Sequence, residues 1–282
     1  MKQTRVPFVH AATAPEIGPI PKDESAPLTT HQEHATSNPR TMLVTGAGSG
    51  IGRAVAIRML DAGWNVVLAG RRDEQLKQSA AQHPHALVVP TDVTDPEAVE
   101  RLFAAGIGRF NRIDVLFNNA GIFGPAANVG QLSVAQWQEV SAVNLNGAIY
   151  CAGAAFKHMQ AAGGGRIINN GSISAQVPRP ASVAYTVTKH AITGLTKSIE
   201  LDGRPYGITC SQIDIGNTAS KMMTGMGTGS GALQANGSRL VEPTFSLDQA
   251  AATIEFMATA PPKVSINQLT ITAAGMPYIG RG

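Results

Sequence analysis

Three residues whose types allow proton chemistry lie close together in the sequence: Ser172, Tyr185 and Lys189. Tyr185 and Lys189 are spaced as i and i+4, so in a helix the phenol and the ammonium share one face. A fixed positive charge favours the phenolate, and the pair therefore predicts a tyrosine whose pKa lies below its ordinary value of about 10. Such a group exchanges protons well near neutral pH. Chance also produces Tyr-x-x-x-Lys, so this prediction depends on other features of the chain.

A glycine-rich turn far upstream supplies the first such feature. The run Met42–Val44 predicts a buried strand and Arg53–Leu60 an amphipathic helix, with the glycines between them. Gly46 would permit a tight turn, Gly50 the close approach of a pyrophosphate, and Gly52 the close packing of helix on strand. The spacing G-x-x-x-G-x-G differs from the strict G-x-G-x-x-G fingerprint, and a merely flexible turn is the alternative.

Further motifs follow in order along the chain, and together they resemble the short-chain dehydrogenase/reductase family. The matching positions are Thr45-Gly46-x-x-x-Gly50-x-Gly52, Asn118-Asn119-Ala120-Gly121, Asn144, Ser172 and Tyr185-x-x-x-Lys189. The resemblance extends from about Thr41 to the C-terminus. It implies an oxidoreductase that transfers hydride between a nicotinamide cofactor and a carbonyl or secondary alcohol. The alternatives are a 3-oxoacyl thioester reductase and a nucleotide-sensing binding protein, although such binding proteins commonly lose the tyrosine that is intact here.

The resemblance also implies a role for each residue of the catalytic set. Tyr185 is the acid in reduction and the base in oxidation, while Ser172 donates a hydrogen bond to the same substrate oxygen. Lys189 lowers the pKa of the tyrosine and holds the nicotinamide ribose. Asn144, which we expect on a long helix, holds a water behind the lysine, unless it is only a buried polar group bonded to backbone. Ser174 is the alternative to Ser172, as a capping or turn hydroxyl.

The choice of nucleotide depends on the end of the second strand. NAD-binding chains place an acidic residue there, which accepts hydrogen bonds from the ribose, but this chain has Gly70 followed by Arg71 and Arg72. Arginine pairs bidentately with a 2′-phosphate, so we expect NADP(H), with NAD(H) as the alternative. The competing interpretation is that both arginines are simply exposed to solvent at the start of a helix. It is supported by the Ser49 position, which lacks the basic residue that some NADP-binding members carry.

The remaining cofactor contacts follow from the resemblance. Asp92 and Val93 match the pair that contacts adenine, although Asp92 is equally suited to capping a turn. Ile215-Gly216 replaces the usual Pro-Gly after the sixth strand, which makes contact by the following Thr218 less secure. The full set of expected cofactor-binding residues is Gly46, Ser49, Gly50, Ile51, Gly52, Arg71, Arg72, Asp92, Val93, Asn119, Ala120, Gly121, Tyr185, Lys189, Gly216 and Thr218.

Strand and helix signals alternate along the chain between residues 41 and 282. Short apolar runs predict strands at Met42–Val44, Val66–Ala69, Leu87–Val89, Val115–Phe117, Arg166–Asn169, Ile208–Ile213 and Gln268–Ile271. Helix starts are predicted at Thr94-Asp95-Pro96-Glu97 and at Ser133, which resemble N-caps. Alternation of this kind predicts an α/β fold, a doubly wound parallel sheet of about seven strands with helices on both faces (Rossmann-type), in a single domain.

Residues 1–40 differ from the rest, because prolines punctuate a polar segment without apolar periodicity. We expect an irregular or disordered extension there. Its short, interrupted apolar stretch argues against a targeting signal, and no run of about 20 apolar residues predicts a membrane span. Two isolated cysteines, Cys151 and Cys210, are typical of a reduced protein, and we expect a cytoplasmic location.

Composition also narrows the range of partners. The formal net charge is +3 and the basic residues are scattered, so nucleic acid is not expected. The seven histidines form no metal-binding pattern. Met222, Met223 and Met226 in a glycine-rich segment indicate a mobile lid over a small, neutral or partly apolar substrate, unless these methionines only fill gaps. The resemblance implies a homo-oligomer, a tetramer or a dimer, although the C-terminus lacks the usual Asp-Gly-Gly ending.

Overall fold

The computed structural model of the protein describes residues 39–220 and 231–279. Residues 1–38 of the extension expected at 1–40, and the lid methionines Met222, Met223 and Met226, therefore lie outside the described residues. Within the described part of the chain, no helix is both long and apolar enough to cross a lipid bilayer.

Seven parallel strands form the central sheet. They are β1 (Thr41–Thr45), β2 (Asn65–Gly70), β3 (Ala86–Pro90), β4 (Val115–Asn118), β5 (Gly165–Asn170), β6 (Ile208–Ile215) and β9 (Gln268–Ile271), with a separate two-stranded hairpin of β7 (Ala232–Leu233) and β8 (Arg239–Leu240). The order across the sheet is β3-β2-β1-β4-β5-β6-β9. Met42 of β1 lies opposite Val66 on one side and Val115 on the other, which fixes the register at the centre. The predicted doubly wound sheet is confirmed.

Seven α-helices within residues 39–220 and 231–279 connect and cover the strands. They are α1 (Gly50–Asp61), α2 (Asp73–Ala80), α3 (Pro96–Phe110), α4 (Val134–Ser141), α5 (Gly147–Ala161), α6 (Val183–Gly203) and α7 (Leu247–Thr259). Asp95 caps α3 by accepting a 2.9 Å hydrogen bond from the Glu97 amide, and Ser133 caps α4 in a reciprocal capping box with Gln136. These side chains satisfy amides that have no partner within the helix, which is why both helices begin where the sequence predicts.

The strands divide the core into two layers, because successive side chains of a strand point to opposite faces. Met42 and Val44 of β1 pack with α1 and α7, whereas Leu43 packs with α3 and α5. The second layer also contains Cys151 and Cys210, both fully buried as free thiols. Burial raises the pKa of Cys151 to about 12, and it also raises the pKa of Cys210.

One departure from the predicted helices lies around Asn144. A π-helical turn, Ala142–Asn146, separates α4 from α5 where the sequence predicts one long helix. Turns of this type insert a residue into a helix and occur often at functional sites. Here the turn places Asn144, only 2% exposed, in the interior between α6 and the loop that follows β4.

Candidate active site and cofactor cleft

A cleft of about 900 Å³ opens at the carboxyl ends of the central strands. Parallel sheets bind nucleotides at this edge, where the order of the strands reverses. Most residues expected to contact a cofactor line the cleft: Gly46, Ser49, Gly50, Ile51, Arg71, Arg72, Asp92, Val93, Asn119, Ala120, Gly121, Tyr185 and Lys189. The structure therefore brings together side chains that lie up to 143 positions apart, from 46 to 189.

The glycine turn has the geometry that a phosphate cradle requires. Gly46 has φ +69°, a conformation that side-chain-bearing residues rarely adopt. A Cβ added to Gly52 would clash with the carbonyl oxygen of Gly46, so Gly52 packs beneath the turn and does not line the cleft. A Cβ on Gly50 would meet nothing within 4 Å, and this open space lies at the N-terminus of α1, which favours an anion. The turn thus fits the pyrophosphate of a dinucleotide.

The asparagine motif after β4 locks three strands together beside this turn. Thr45 Oγ1 accepts hydrogen bonds of 2.8 Å from the Asn119 amide and 2.9 Å from the Ala120 amide. Asn119 Nδ2 donates to the Thr45 carbonyl at 2.8 Å, and Asn119 Oδ1 accepts from Asn170 Nδ2 at 2.9 Å. Asn118 instead bonds to the backbone of Ala148 in α5. The motif therefore supports the sheet and shapes the cleft at once.

The two arginines after β2 lie exposed at the rim of the cleft. Arg72 Nη2 donates to Ser49 Oγ over 3.4 Å, a weak bond that brings the guanidinium beside the glycine turn. Asp92 accepts hydrogen bonds from the Thr94 amide at 3.0 Å and the Thr94 hydroxyl at 2.8 Å. These bonds, with that from the amide the strongest, lower the pKa of Asp92, so the carboxylate caps its turn while also lining the cleft.

Tyr185 and Lys189 lie one turn apart on α6, both buried. The Lys189 Nζ lies 5.5 Å from the centre of the tyrosine ring and donates a 2.6 Å hydrogen bond to the carbonyl oxygen of Asn170. Through Asn170 the lysine joins the hydrogen bonds of Asn119 and Thr45. The cleft thus has a cation fixed between the tyrosine and the asparagine motif.

The protonation of this pair differs from the sequence-based expectation. Burial raises the pKa of Tyr185; a hydrogen bond with Ser172 lowers it, and the charge of Asp214 raises it further. Burial lowers the pKa of Lys189 to about 8, against the opposing influence of Asp214. The expectation that Lys189 would bring the pKa of Tyr185 below its ordinary value was wrong, because burial, the largest influence on the phenol, outweighs the hydrogen bond with Ser172.

Ser172 lies at the end of β5, where it caps the 3₁₀ turn Ile173–Ala175. Its Oγ accepts a 3.1 Å hydrogen bond from the Ser174 amide and also bonds with Tyr185, so the hydroxyl is oriented between backbone and phenol. Its own amide donates to Asp214 Oδ1 at 2.9 Å. Ser172, which bonds with the phenol, is thus placed to share a substrate oxygen with Tyr185, and Ser174 supplies the amide that orients it.

Asn144 is bonded to backbone. Its Oδ1 accepts from the Ile122 amide at 2.8 Å, and its Nδ2 donates to the Ile122 carbonyl at 2.8 Å and to Thr188 Oγ1 at 3.3 Å. The side chain therefore ties the loop after β4 to α6, and within the described residues the hydrogen-bond partner of Lys189 is Asn170.

The two contacts expected after β6, Gly216 and Thr218, are absent from the cleft lining. Gly216 packs against Met276, and Thr218 is 2% exposed in a β-bridge with Phe245, so neither lines the cleft. Ala219 and Ser220, which sequence reasoning missed, line it instead. The bridge to Phe245 holds Thr218 in the interior and turns the chain towards the cleft only afterwards.

Two other features of the site were not predicted. The Phe123 ring stacks on the Tyr185 ring, with centres 4.4 Å apart and planes at 16°. Asp214, with no exposure to solvent, lies beneath Ser172 and accepts hydrogen bonds from Gln176, Gln212 and Gln268. The sequence carries one signal for the role of Asp214: Cys210, Gln212 and Asp214 alternate on one face of a buried strand. Charged residues seldom occur there without partners, so the pattern indicates a buried, hydrogen-bonded carboxylate.

Comparisons with known proteins agree with this geometry. The sequence profile described as short chain dehydrogenase matches residues 40–230. A 3β-hydroxysteroid dehydrogenase of Mediterraneibacter gnavus is 40% identical over 178 residues, which are 62% of this chain and 64% of that protein. A cis-4-hydroxycyclohexanecarboxylate dehydrogenase of Sinomonas cyclohexanicum is 36% identical over 191 residues, 66% of this chain and 76% of that protein.

A solved structure, levodione reductase, superimposes with a TM-score of 0.74 at 28% sequence identity. The superposition covers 82% of this chain and 95% of that one. The likeness therefore includes the central sheet and the helices on both of its faces.

Proposed function

This chain belongs to the short-chain dehydrogenase family of NAD(P)-dependent oxidoreductases acting on CH–OH and C=O groups, and we propose that Tyr185 is its acid and base. The observation that carries this proposal is the buried pair of Tyr185 and Lys189 at the wall of a cleft that begins with a glycine-rich turn, with the buried Ser172 bonded to the phenol. Proton transfer and polarisation of a carbonyl must come from the protein, because the nicotinamide, when bound, supplies or accepts only the hydride.

In reduction, Tyr185 donates its proton to the carbonyl oxygen of the substrate while Ser172 Oγ donates a hydrogen bond to the same oxygen. The raised pKa of Tyr185 suits this direction, since the phenol is protonated at neutral pH. In oxidation the phenolate removes the hydroxyl proton. Lys189, fixed by the Asn170 carbonyl, would hold the nicotinamide ribose.

For the substrate we propose a small, neutral or partly apolar ring that carries a secondary alcohol or ketone. Phe123 covers one face of the Tyr185 ring, so the atoms next to the reacting oxygen meet an aromatic surface. The names of the steroid and cyclohexanecarboxylate dehydrogenases given above describe alcohols on saturated rings, which agrees with such a surface.

For the cofactor we propose NADP(H) over NAD(H). Arg71 and Arg72 line the cleft after β2, and Gly70 stands at the end of that strand, where an acidic residue would accept hydrogen bonds from the ribose hydroxyls of NAD. A 2′-phosphate at this position would gain charge-assisted hydrogen bonds from the guanidinium groups.

We also propose that the protein assembles as a homo-oligomer, a dimer or a tetramer, in the cytoplasm. Apolar side chains are exposed on the outer faces of α5 and α6: Ile149, Tyr150, Val187 and Leu201. A second copy of the chain would cover them. The two free, buried thiols agree with a reducing compartment.

The test is the variant Tyr185→Phe, which removes the phenol oxygen and keeps the ring. Cyclic ketones and acyl thioesters would first be screened with NADPH and NADH, by absorbance of the reduced nicotinamide. For the best substrate we expect kcat/KM to fall by about 10²–10⁴-fold in the variant, the usual contribution of a general acid. Cofactor affinity, measured by fluorescence titration, should stay within twofold, and turnover like that of the wild type would disprove the mechanism.

A further inference from the structure

The fully buried carboxylate of Asp214 lies where the mechanism above gives it no role. It accepts four hydrogen bonds: from the Ser172 amide at 2.9 Å, and from the side-chain amides of Gln176 at 2.9 Å, Gln212 at 2.7 Å and Gln268 at 2.7 Å. None of these donors is charged. Burying a carboxylate without an ion pair is costly, and four neutral donors offset this cost only in part. Such an arrangement calls for a reason other than stability.

The place of Asp214 in the sequence gives a second indication. A Cβ added to Gly171 would clash with Asp214 Oδ1, so the position before Ser172 must be glycine while the acid is present. Gly171 and Asp214 therefore meet at one contact directly beneath Ser172.

The charge of Asp214 acts on both titratable groups of the site. Within residues 39–220 and 231–279, the charged side chain that influences the pKa of Tyr185 is Asp214 on β6. Lys189, on the same helix, has its Nζ 5.5 Å from the centre of the tyrosine ring. The other groups that contact the pair are uncharged: Ser172 from the 3₁₀ turn, Asn170 from β5 and Phe123 from the loop after β4. A negative charge at this place opposes the phenolate and favours the ammonium.

We propose that Asp214 is a positioning residue of the reaction, which fixes the Ser172 peptide and keeps the proton on Tyr185, so that the site is set for carbonyl reduction at neutral pH. This inference rests on the proposed function of Tyr185. The reaction equilibrium is unchanged by it. What Asp214 determines is the pH range in which the phenol is available as an acid, and oxidation consequently requires a more alkaline medium than it would without the carboxylate.

The test compares the wild type with Asp214→Asn, which has the same shape and no charge. The ionisation of Tyr185 is read from phenolate absorbance, as the difference between each protein and the same protein carrying Tyr185→Phe, because the chain has four tyrosines. This difference absorbance rises in one step as Tyr185 ionises, and we expect the step in Asp214→Asn to lie about one pH unit lower than in the wild type. The pH of half-maximal alcohol oxidation should fall in parallel.

A second variant protects the test against misfolding. In Asp214→Ser, a smaller neutral polar side chain replaces the carboxylate that accepts from the Ser172 amide, and the charge is again removed. Its step for Tyr185 should also move to lower pH. The control is Asp114→Asn, because Asp114 likewise accepts a backbone hydrogen bond, from Thr41 at 2.8 Å, at the opposite ends of the strands. It should lower stability and leave the step unchanged.

The outcomes separate the two proposals. Phenolate absorbance requires no turnover, so a step that moves only when Asp214 is replaced supports this inference even if the substrate screen fails. Activity retained in Tyr185→Phe would overturn the proposed function and leave this measurement standing. The role of Asp214 would be overturned if the step is unchanged in both Asp214 variants, or if it moves equally in Asp114→Asn. It would also be overturned if none of the proteins shows a step.

Discussion

The two sides of the cleft are built in different ways. On the cofactor side, residues 41–121, the contacts come from backbone geometry: a positive φ at Gly46, close packing at Gly52 and amides bonded to Thr45. On the substrate side, residues 171–279, buried polar and charged side chains from distant parts of the chain hold the structure together. Backbone contacts suit a cofactor that related proteins share. Side chains, which can change one at a time, suit individual substrates.

The side-chain network of the substrate side has a second centre besides Asp214. Arg179 forms a bidentate ion pair with Glu242, with contacts of 3.0 and 2.6 Å, and both side chains are almost fully buried. Asn217 and Gln234 also donate to this carboxylate, at 2.7 and 3.1 Å. The pair therefore joins the loop before α6 to the chain after β6 and to the hairpin of β7 and β8.

The largest effect on stability should come from breaking this pair. Glu242→Gln leaves the Arg179 guanidinium buried without its counter-charge, and we expect the free energy of unfolding to fall by about 3 kcal/mol. Chemical denaturation monitored by circular dichroism measures this change. Glu100→Gln, which breaks an exposed ion pair with Lys157, is the control and should cost less than about 0.5 kcal/mol. Equal losses in the two variants would contradict the contrast between the two sides.

Glu242→Gln should also change how the free energy of unfolding depends on pH in acid. Burial by itself would raise the pKa of Glu242. Hydrogen bonds from Arg179, Asn217 and Gln234 together outweigh burial and bring the pKa down to about 2. Because the unfolded chain takes up this proton near pH 4.5, the contribution of Glu242 is present above that pH and is lost as the pH falls towards 2. The acid-induced loss of stability in this window should therefore be shallower in Glu242→Gln.

On the cofactor side, the sharpest disruption is a single methyl group. Gly52→Ala places a Cβ against the Gly46 carbonyl, and the turn must shift, which costs about 1–3 kcal/mol of stability. Cofactor affinity should fall more than tenfold, as measured by fluorescence titration. In Gly108→Ala, at an exposed helical position with open space around it, we expect no loss of either property. Unimpaired binding in Gly52→Ala would refute the cradle.

The smallest of these effects concerns the choice of nucleotide. Arg71→Asp replaces a cation with the kind of group that accepts hydrogen bonds from ribose hydroxyls, so the ratio of kcat/KM for NADPH over NADH should fall about tenfold, or 1.4 kcal/mol. Arg109→Asp makes the same change of charge on the exposed surface of α3 and should leave the ratio unaltered. An unchanged ratio in Arg71→Asp would exclude the proposed preference for NADP(H).

The difference between the two sides also explains what the sequence could reveal. The strands of the sheet and the glycine turn were predictable because local periodicity and glycine spacing encode them directly. The π-helical turn at Asn144 was not, since its cause is the pairing of that side chain with Ile122, 22 positions away. Glu242 was missed for the same reason, because its partners Arg179 and Asn217 lie 63 and 25 positions away. For Asp214 the alternation with Gln212 was a signal, but its bonds to the Ser172 amide and to Gln268 span 42 and 54 positions.

The protonation of Tyr185 marks the limit of reasoning from spacing alone. The i, i+4 spacing correctly put Lys189 on the same face of α6, but it gave no measure of burial. Burial outweighs the neighbouring groups and raises the pKa of the phenol. Motif spacing thus identifies which groups meet, while their charge states depend on the packing around them.

The burial of both thiols has a practical consequence for measuring distances in this molecule. Cys151 and Cys210 are fully enclosed, and the pKa of Cys151 near 12 leaves almost no thiolate to react with maleimides at neutral pH. A single cysteine introduced on an exposed helix could then carry a spin label or fluorophore without removal of the native pair. Two such labels, one on each side of the cleft, would report how far it opens and closes during turnover.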